Sequence, residues 1–254
     1  MVLQTHDAQR HASGQPNRVT ILGIPFDPVD IDGAVRRAAG MAEDGRAHLI
    51  VTANPEAVMA AQRDPELAAA IRSADLVVAD GIGIVWAARR LGQPLPGRVP
   101  GIELMQSLCA WAAAAGRSVF LLGGKPGVAE RAAQTILARW PGLRVVGTRD
   151  GFAGLLTGDA IEEVAAARAD VLFAGLAMPV QEKWLAEHLD GLNVRLAMGV
   201  GGSLDVLAGR AKRAPRWVRR LHLEWLYRLA RQPSRWRRQL ALPKFVWAIL
   251  TRRR

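Results

Sequence analysis

The chain has 254 residues, half of them apolar, with a formal net charge of +11 and a single cysteine. That length buries one large core or two modest ones, and the lone Cys109 excludes an internal disulfide and points to a reducing compartment. Arg168 and Asp170 interrupt the longest apolar candidate for a membrane span, so the chain is expected to lie on a bilayer rather than cross it.

Residues 1–17 are polar and lack a charged region followed by an apolar core, so they read as a disordered arm rather than a signal peptide. From residue 18 to about 200, short β-branched or apolar runs alternate with Ala-rich stretches of helical period. This alternation predicts an α/β fold: a Rossmann-like open, mostly parallel sheet flanked by helices. Strands are expected at 19–23, 48–52, 76–79, 119–122, 144–147, 171–175 and 194–198. Helices are expected at 32–44, 55–62, 65–73, 84–91, 102–115, 128–140, 160–168 and 181–188.

Beyond Gly202 the texture changes. Residues 210–254 hold 15 Lys or Arg against one acid, Glu224, whereas the preceding 209 residues hold 19 bases and 22 acids. The whole positive balance therefore sits at one end, together with Trp217, Trp225, Trp236 and Trp247. Pro215 suits a helix start, Trp217, Leu221, Trp225 and Leu229 recur every four residues on one face, and Pro233 ends or kinks that helix. Arginine interleaved with tryptophan and leucine fits a helix lying in the headgroup layer of an anionic membrane, with a solvated basic tail as the alternative. The chain thus divides into the arm at 1–17, a core at 18–202 and a C-terminal basic helical appendage at 203–254.

In an open parallel sheet, ligands bind at the carboxyl ends of the strands, where loop amides and helix N-termini converge. Five successive rims present small, polar or glycine-rich elements: Thr52 with Asn54, Asp80-Gly81, Gly123-Gly124-Lys125-Pro126-Gly127, Pro179-Val180-Gln181-Glu182, and Gly199-Val200-Gly201-Gly202. Asn54 precedes Pro55-Glu56 and suits a helix cap. Asp80 ends an apolar run beside a glycine; it reads either as a general base or as a turn aspartate. The Gly123 to Gly127 loop opens a helix and suits a phosphate, although neither a dinucleotide fingerprint nor a P-loop pattern is met. Asp30-Ile31-Asp32 matches a metal-holding D-x-D pattern but precedes an apolar helix, where aspartate caps free amides. The five histidines are scattered, no zinc constellation is visible, and no metal or cofactor is expected.

Three stretches carry a family resemblance. Thr52-Ala53-Asn54-Pro55-Glu56, Val78-Ala79-Asp80-Gly81-Ile82-Gly83 and Arg98-Val99-Pro100-Gly101 resemble the first half of the WecG/TagA/CpsF glycosyltransferases. Phe120-Leu121-Leu122-Gly123-Gly124 with Pro141-Gly142-Leu143 is similar to their middle. The block from Gly199 to Arg238, with Lys212-Arg213-Ala214-Pro215 and Leu223-Glu224-Trp225-Leu226-Tyr227-Arg228-Leu229, is similar to their C-terminal part. The resemblance implies inverting, metal-independent transfer of a sugar from a UDP donor to a polyprenyl-diphosphate-linked sugar, at the cytoplasmic face of the plasma membrane, in cell-surface polysaccharide synthesis. It implies Asp80 as the base, Thr52 and Asn54 as the T-x-N pair, Gln181 in the Pro-x-Gln-Glu motif, and Arg228, Arg235 and Arg238 closing over the donor diphosphate. Gly81, Arg98, Gly123, Gly124, Gly199 and Gly201 complete the expected substrate-binding set. Ala177 and Val180 stand where the family commonly carries glycine and lysine, a loss that bears on the donor sugar and favours a neutral one.

The partners so implied are a UDP-sugar, a lipid-linked acceptor and an anionic membrane surface, and the Trp-rich face can equally bury against a second copy of the chain. A nucleic-acid binder with a basic arm is the competing class, disfavoured because the rims are rich in catalytic-type polar residues. A nicotinamide-dependent oxidoreductase is disfavoured by the missing glycine fingerprint.

Overall fold

In the computed structural model, residues 18–151, 158–221, 223–231 and 236–251 are described, so the expected arm at 1–17 lies outside the described residues. The first expected strand is instead a hairpin. β1 (Val19–Ile21) pairs antiparallel with β2 (Ile24–Phe26), apart from the main sheet. Leu22 and Gly23 form its two-residue turn with φ of 48° and 77°, the left-handed pair that matches strand twist. A leucine at the first of these positions is unusual, which hid the turn from a reading of turn residues. The buried Asp27 then fixes the hairpin: its backbone N–H and one carboxylate oxygen bond the Val77 backbone at 2.8 Å each, and its other oxygen pairs Arg18 and Arg37.

The remaining apolar runs form a single all-parallel sheet. β3 (His48–Ala53), β4 (Leu76–Ala79), β5 (Ser118–Gly123), β6 (Arg144–Arg149), β7 (Val171–Gly175) and β8 (Leu196–Gly199) lie in the order β4-β3-β8-β7-β5-β6. Its central strands are buried on both faces, which is why they read as continuous apolar runs rather than alternating ones. Ile50, Val78, Leu121 and Phe173 point to one face, covered by α1 (Ile31–Met41), α5 (Gly101–Ala114) and α6 (Val128–Arg139). Val51, Val77, Leu122 and Leu172 point to the other, covered by α2 (Pro55–Ala61), α3 (Pro65–Ser73), α4 (Ile82–Arg90), α7 (Asp159–Ala167) and α8 (Val180–His188). Cys109 is packed inside the first layer, where burial pushes its thiol up to about 12, so it is an inert hydrophobe.

The caps follow the sequence. Asp30 Oδ1 accepts from the Gly33 N–H at 2.8 Å at the start of α1, the capping role open to it beside the D-x-D reading. Among the described residues no cluster of potential metal ligands occurs.

Past Gly202 the chain continues with α9 (Ser203–Leu207), whose Leu204 is fully buried in the layer of α6. The run from Pro215 is not one helix. α10 (Arg216–Arg220) stops where Val218 tucks into the protein and the Leu223 N–H returns to the Val218 carbonyl; α11 (Glu224–Arg231) starts afresh. The fourfold spacing of Trp217, Leu221, Trp225 and Leu229 therefore does not fall on a single helical face. After α12 (Trp236–Gln239), α13 (Ala241–Thr251) docks on α2 and α4, with Phe245 and Ile249 in the same apolar cluster as Val58 and Ile84. Its opposite side exposes Val246, Trp247 and Leu250. No helix among the described residues is long and apolar enough to cross a membrane.

Candidate active site

Three helix starts converge on the ends of β3 and β4. Pro55 opens α2 behind Asn54, whose Oδ1 accepts from the Ala57 N–H at 3.0 Å. Gly83 in α4 lies so close to Pro55 that an added methyl would come within 2.8 Å of its ring. A methyl on Gly101, the first residue of α5, would lie 2.9 Å from Thr52 Oγ1. These small residues let the three first turns pack closely at the ends of these strands.

Asp80 sits at these strand ends. Its N–H extends the parallel ladder to the Ala53 carbonyl at 2.9 Å, and Gly81 turns the chain into α4 with φ of 116°, a conformation closed to residues with a side chain. The carboxyl group is thereby presented at the rim instead of continuing the strand. Arg98 is next to Val99, whose N–H bonds the Ala79 carbonyl at 2.7 Å, so it stands beside the same rim without lining the cleft.

A cleft of about 830 Å³ opens over the carboxyl ends of β4, β3, β8 and β7. Of the expected residues it brings together Thr52, Asn54, Asp80, Gln181 and Gly201. Gln181 is buried; its Oε1 accepts from the Gly201 N–H at 3.0 Å, and its amide lies over Gly199, where a methyl would come 2.8 Å from Nε2. Gly199 is thus required for the close approach of this side chain.

Gly123 and Gly124 do not line the cleft. Gly123 has φ of 129°, and a methyl there would lie 2.4 Å from the Gly175 carbonyl oxygen, so its absence of a side chain serves strand contact. The loop instead sends Lys125 to the cleft. Val180, at the position where a lysine was expected, is exposed and stands outside it, while Ala177 is part of the wall. Arg228 and Arg238 lie on α11 and α12, and their side chains are outside the described set; Arg235 lies outside the described residues.

Several residues that sequence reasoning did not assign also face the cleft. Arg210, Lys212, Arg213 and Arg231 supply cations from the C-terminal segment, and Tyr227 lies beneath the Arg231 guanidinium. Glu103, in the first turn of α5, pairs with Arg213 and reaches Arg219 at 3.6 Å, latching this segment to the core. Lys212 and Arg213 were visible as part of a motif, but nothing in the sequence linked them to Glu103, 110 residues away. Glu182 is the other omission. It is buried on the cleft wall, and burial raises its carboxyl pKa against the hydrogen bond from Gln181. The arrangement offers a carboxylate, a fixed amide and a bank of guanidinium groups across one cleft. Such a set can take a proton from a nucleophile and stabilise an anionic leaving group.

Residues 19–254 match the sequence profile of the Glycosyl transferase WecG/TagA/CpsF family. Proteins bearing the description N-acetylglucosaminyldiphosphoundecaprenol N-acetyl-beta-D-mannosaminyltransferase are similar along most of their length. One from Bacillus spizizenii is 36% identical, over 84% of this chain and 82% of its own. One from Staphylococcus aureus strain MRSA252 is 35% identical, over 93% and 94% respectively, and one from Bacillus subtilis strain 168 is 34% identical, over 80% and 78%.

Proposed function

Since the chain belongs to the WecG/TagA/CpsF glycosyltransferase family, we propose that it moves an N-acetylmannosamine-type sugar or glucose from a UDP donor to a polyprenyl-diphosphate-linked sugar, with inversion and without a metal. The observation that carries this reading is the meeting of Asp80 with the cationic 210–231 segment across one cleft. The names of the similar proteins support a lipid-linked sugar as acceptor and an N-acetylmannosaminyl group as cargo.

On this reading the UDP-sugar lies along the rims, with its diphosphate toward Lys125, Arg210 and Arg213 and its sugar toward Asn54 and Gln181. Asp80 accepts the proton of the acceptor hydroxyl as that oxygen bonds to the anomeric carbon, and the bond from that carbon to the diphosphate oxygen breaks. A single displacement inverts the centre. The leaving UDP keeps the bonding pair, and its growing charge is met by guanidinium groups, whose fork matches phosphate oxygens. The core at 18–202 supplies the base, and the segment at 203–254 supplies the cations together with a surface for the inner face of the plasma membrane. Exposed Trp217, Trp236 and Trp247 among arginines suit that surface.

The test is Asp80→Asn, assayed with short-chain diphospholipid acceptors and UDP-N-acetylmannosamine in excess chelator. Turnover should fall about a hundredfold or more while the Kd for UDP stays within about threefold. Near-normal turnover in that variant removes Asp80 from the mechanism, and strict dependence on added manganese or magnesium removes the metal-free step.

A further inference from the structure

Glu182 is an acidic side chain in an unusual position. It is only 5% exposed, yet it belongs to the cleft wall beside Gln181. One carboxyl oxygen, Oε1, accepts from Gln181 Nε2 at 2.7 Å, and Gln181 in turn holds the Gly201 N–H. The second oxygen, Oε2, is sealed from solvent and meets no hydrogen-bond partner among the described residues. A buried polar atom left unpaired is costly, and one on a cleft wall marks a place where a ligand can satisfy it.

Among the described residues no cation pairs with this carboxyl. Lys183, the next residue on α8, is held by Asp64 at 2.8 Å and Glu66 at 2.9 Å, on the α3 side. Burial without a cation favours the neutral acid, in agreement with its raised pKa. A carboxylate can only accept hydrogen bonds, whereas the neutral acid can also donate one. With Oε1 engaged by an amide donor, a proton on this carboxyl would sit on Oε2, the unpartnered atom. What it requires is an acceptor.

We propose that Glu182 is a positioning and specificity residue of the donor subsite: Oε1 fixes the Gln181 amide, and Oε2, covered until the carboxyl turns toward the cleft as the donor binds, donates to the acetamido carbonyl of the transferred sugar. This rests on the reading of the cleft as a UDP-sugar site. The acetamido carbonyl oxygen only accepts, and it is the strongest neutral acceptor on an N-acetylated hexose. A sugar carrying a hydroxyl at that carbon would leave the acid unpaired, and a site built to bond a polar group rejects ligands that lack it.

The test measures equilibrium binding of UDP, UDP-N-acetylmannosamine and UDP-mannose to the full chain and to its Glu182→Ala and Glu182→Gln variants. The parent should prefer the acetamido sugar to the plain one by about tenfold or more. Glu182→Ala should bring that ratio close to one while the Kd for UDP itself stays within about threefold, which also reports that the variant is folded. Glu182→Gln should keep most of the ratio, because its amide accepts with oxygen and donates with nitrogen as the neutral acid does. A preference that survives Glu182→Ala, or one lost equally in Glu182→Gln, overturns the proposal while UDP binding stands. Failure of the parent to bind UDP overturns the donor-site reading and this inference together.

Discussion

The two sides of α13 should answer to different measurements. Phe245 is 1% exposed against α2 and α4, whereas Trp247, two residues on, is 69% exposed. Truncating a buried phenylalanine costs about 3–5 kcal/mol, so Phe245→Ala should lower the thermal midpoint by roughly 6–20 °C for a chain of this size. Trp247→Ala removes a mostly exposed side chain beside Leu22, Gln62 and Arg72 and should change stability by about 1 kcal/mol or less. If the outer side meets lipid, partial burial of the indole in headgroups contributes about 1 kcal/mol, a roughly fivefold effect on binding. Thermal unfolding followed by circular dichroism reads the first effect, and sedimentation with phosphatidylglycerol vesicles reads the second. A midpoint unmoved in Phe245→Ala would refute the docking of α13 on the core. Undiminished vesicle binding in Trp247→Ala would refute the outward side as a lipid surface.

Gly123→Ala places a methyl against the Gly175 carbonyl at φ of 129° and should destabilise by about 3 kcal/mol or more, read as a fall in the urea midpoint; a neutral effect would mean β5 and β7 do not approach as described. For His48, burial opposes the charged ring, but hydrogen bonds with Asp75 and Asp44 outweigh it and hold the pKa above its ordinary value. Its stabilising effect is therefore complete below about pH 6.5, the unfolded value, and is lost as pH rises through the folded value. A urea midpoint that falls above that pH in the parent should fall less in His48→Gln; identical slopes would exclude this histidine. Glu103→Ala leaves Arg213 and Arg219 without their carboxylate and should speed tryptic cleavage within 210–231, while an unchanged digestion pattern would show that the latch holds nothing.

The sheet was legible because parallel strands buried on both faces must be apolar throughout, as in Leu76-Val77-Val78-Ala79 and Val171-Leu172-Phe173-Ala174. Thr52, Asn54, Asp80 and Gln181 were legible for a related reason: each stands at the end of a strand, just past one, or at a helix start, where topology concentrates polar groups. The hairpin was not, since its turn uses a leucine where Asn or Gly is customary. Glu182 was legible only as part of its motif and received no role, because an acid in the first turn of a helix ordinarily faces water and only tertiary packing buries this one. Gly123 carries a second requirement that its phosphate-loop texture did not reveal, since β5 and β7 nearly touch at Gly175.

The segment that carries the cations is moored before and after its charged stretch, by Glu103 at Arg213 and by Phe245 and Ile249 beyond it. A chain pinned at both points cannot drift off. Its guanidinium groups face a ligand at an effective concentration on the order of millimolar, set by tether length rather than by encounter. If this segment meets a bilayer, the contact need only tilt charges already at hand, and on the proposed reading catalytic assembly would scale with orientation instead of with recruitment.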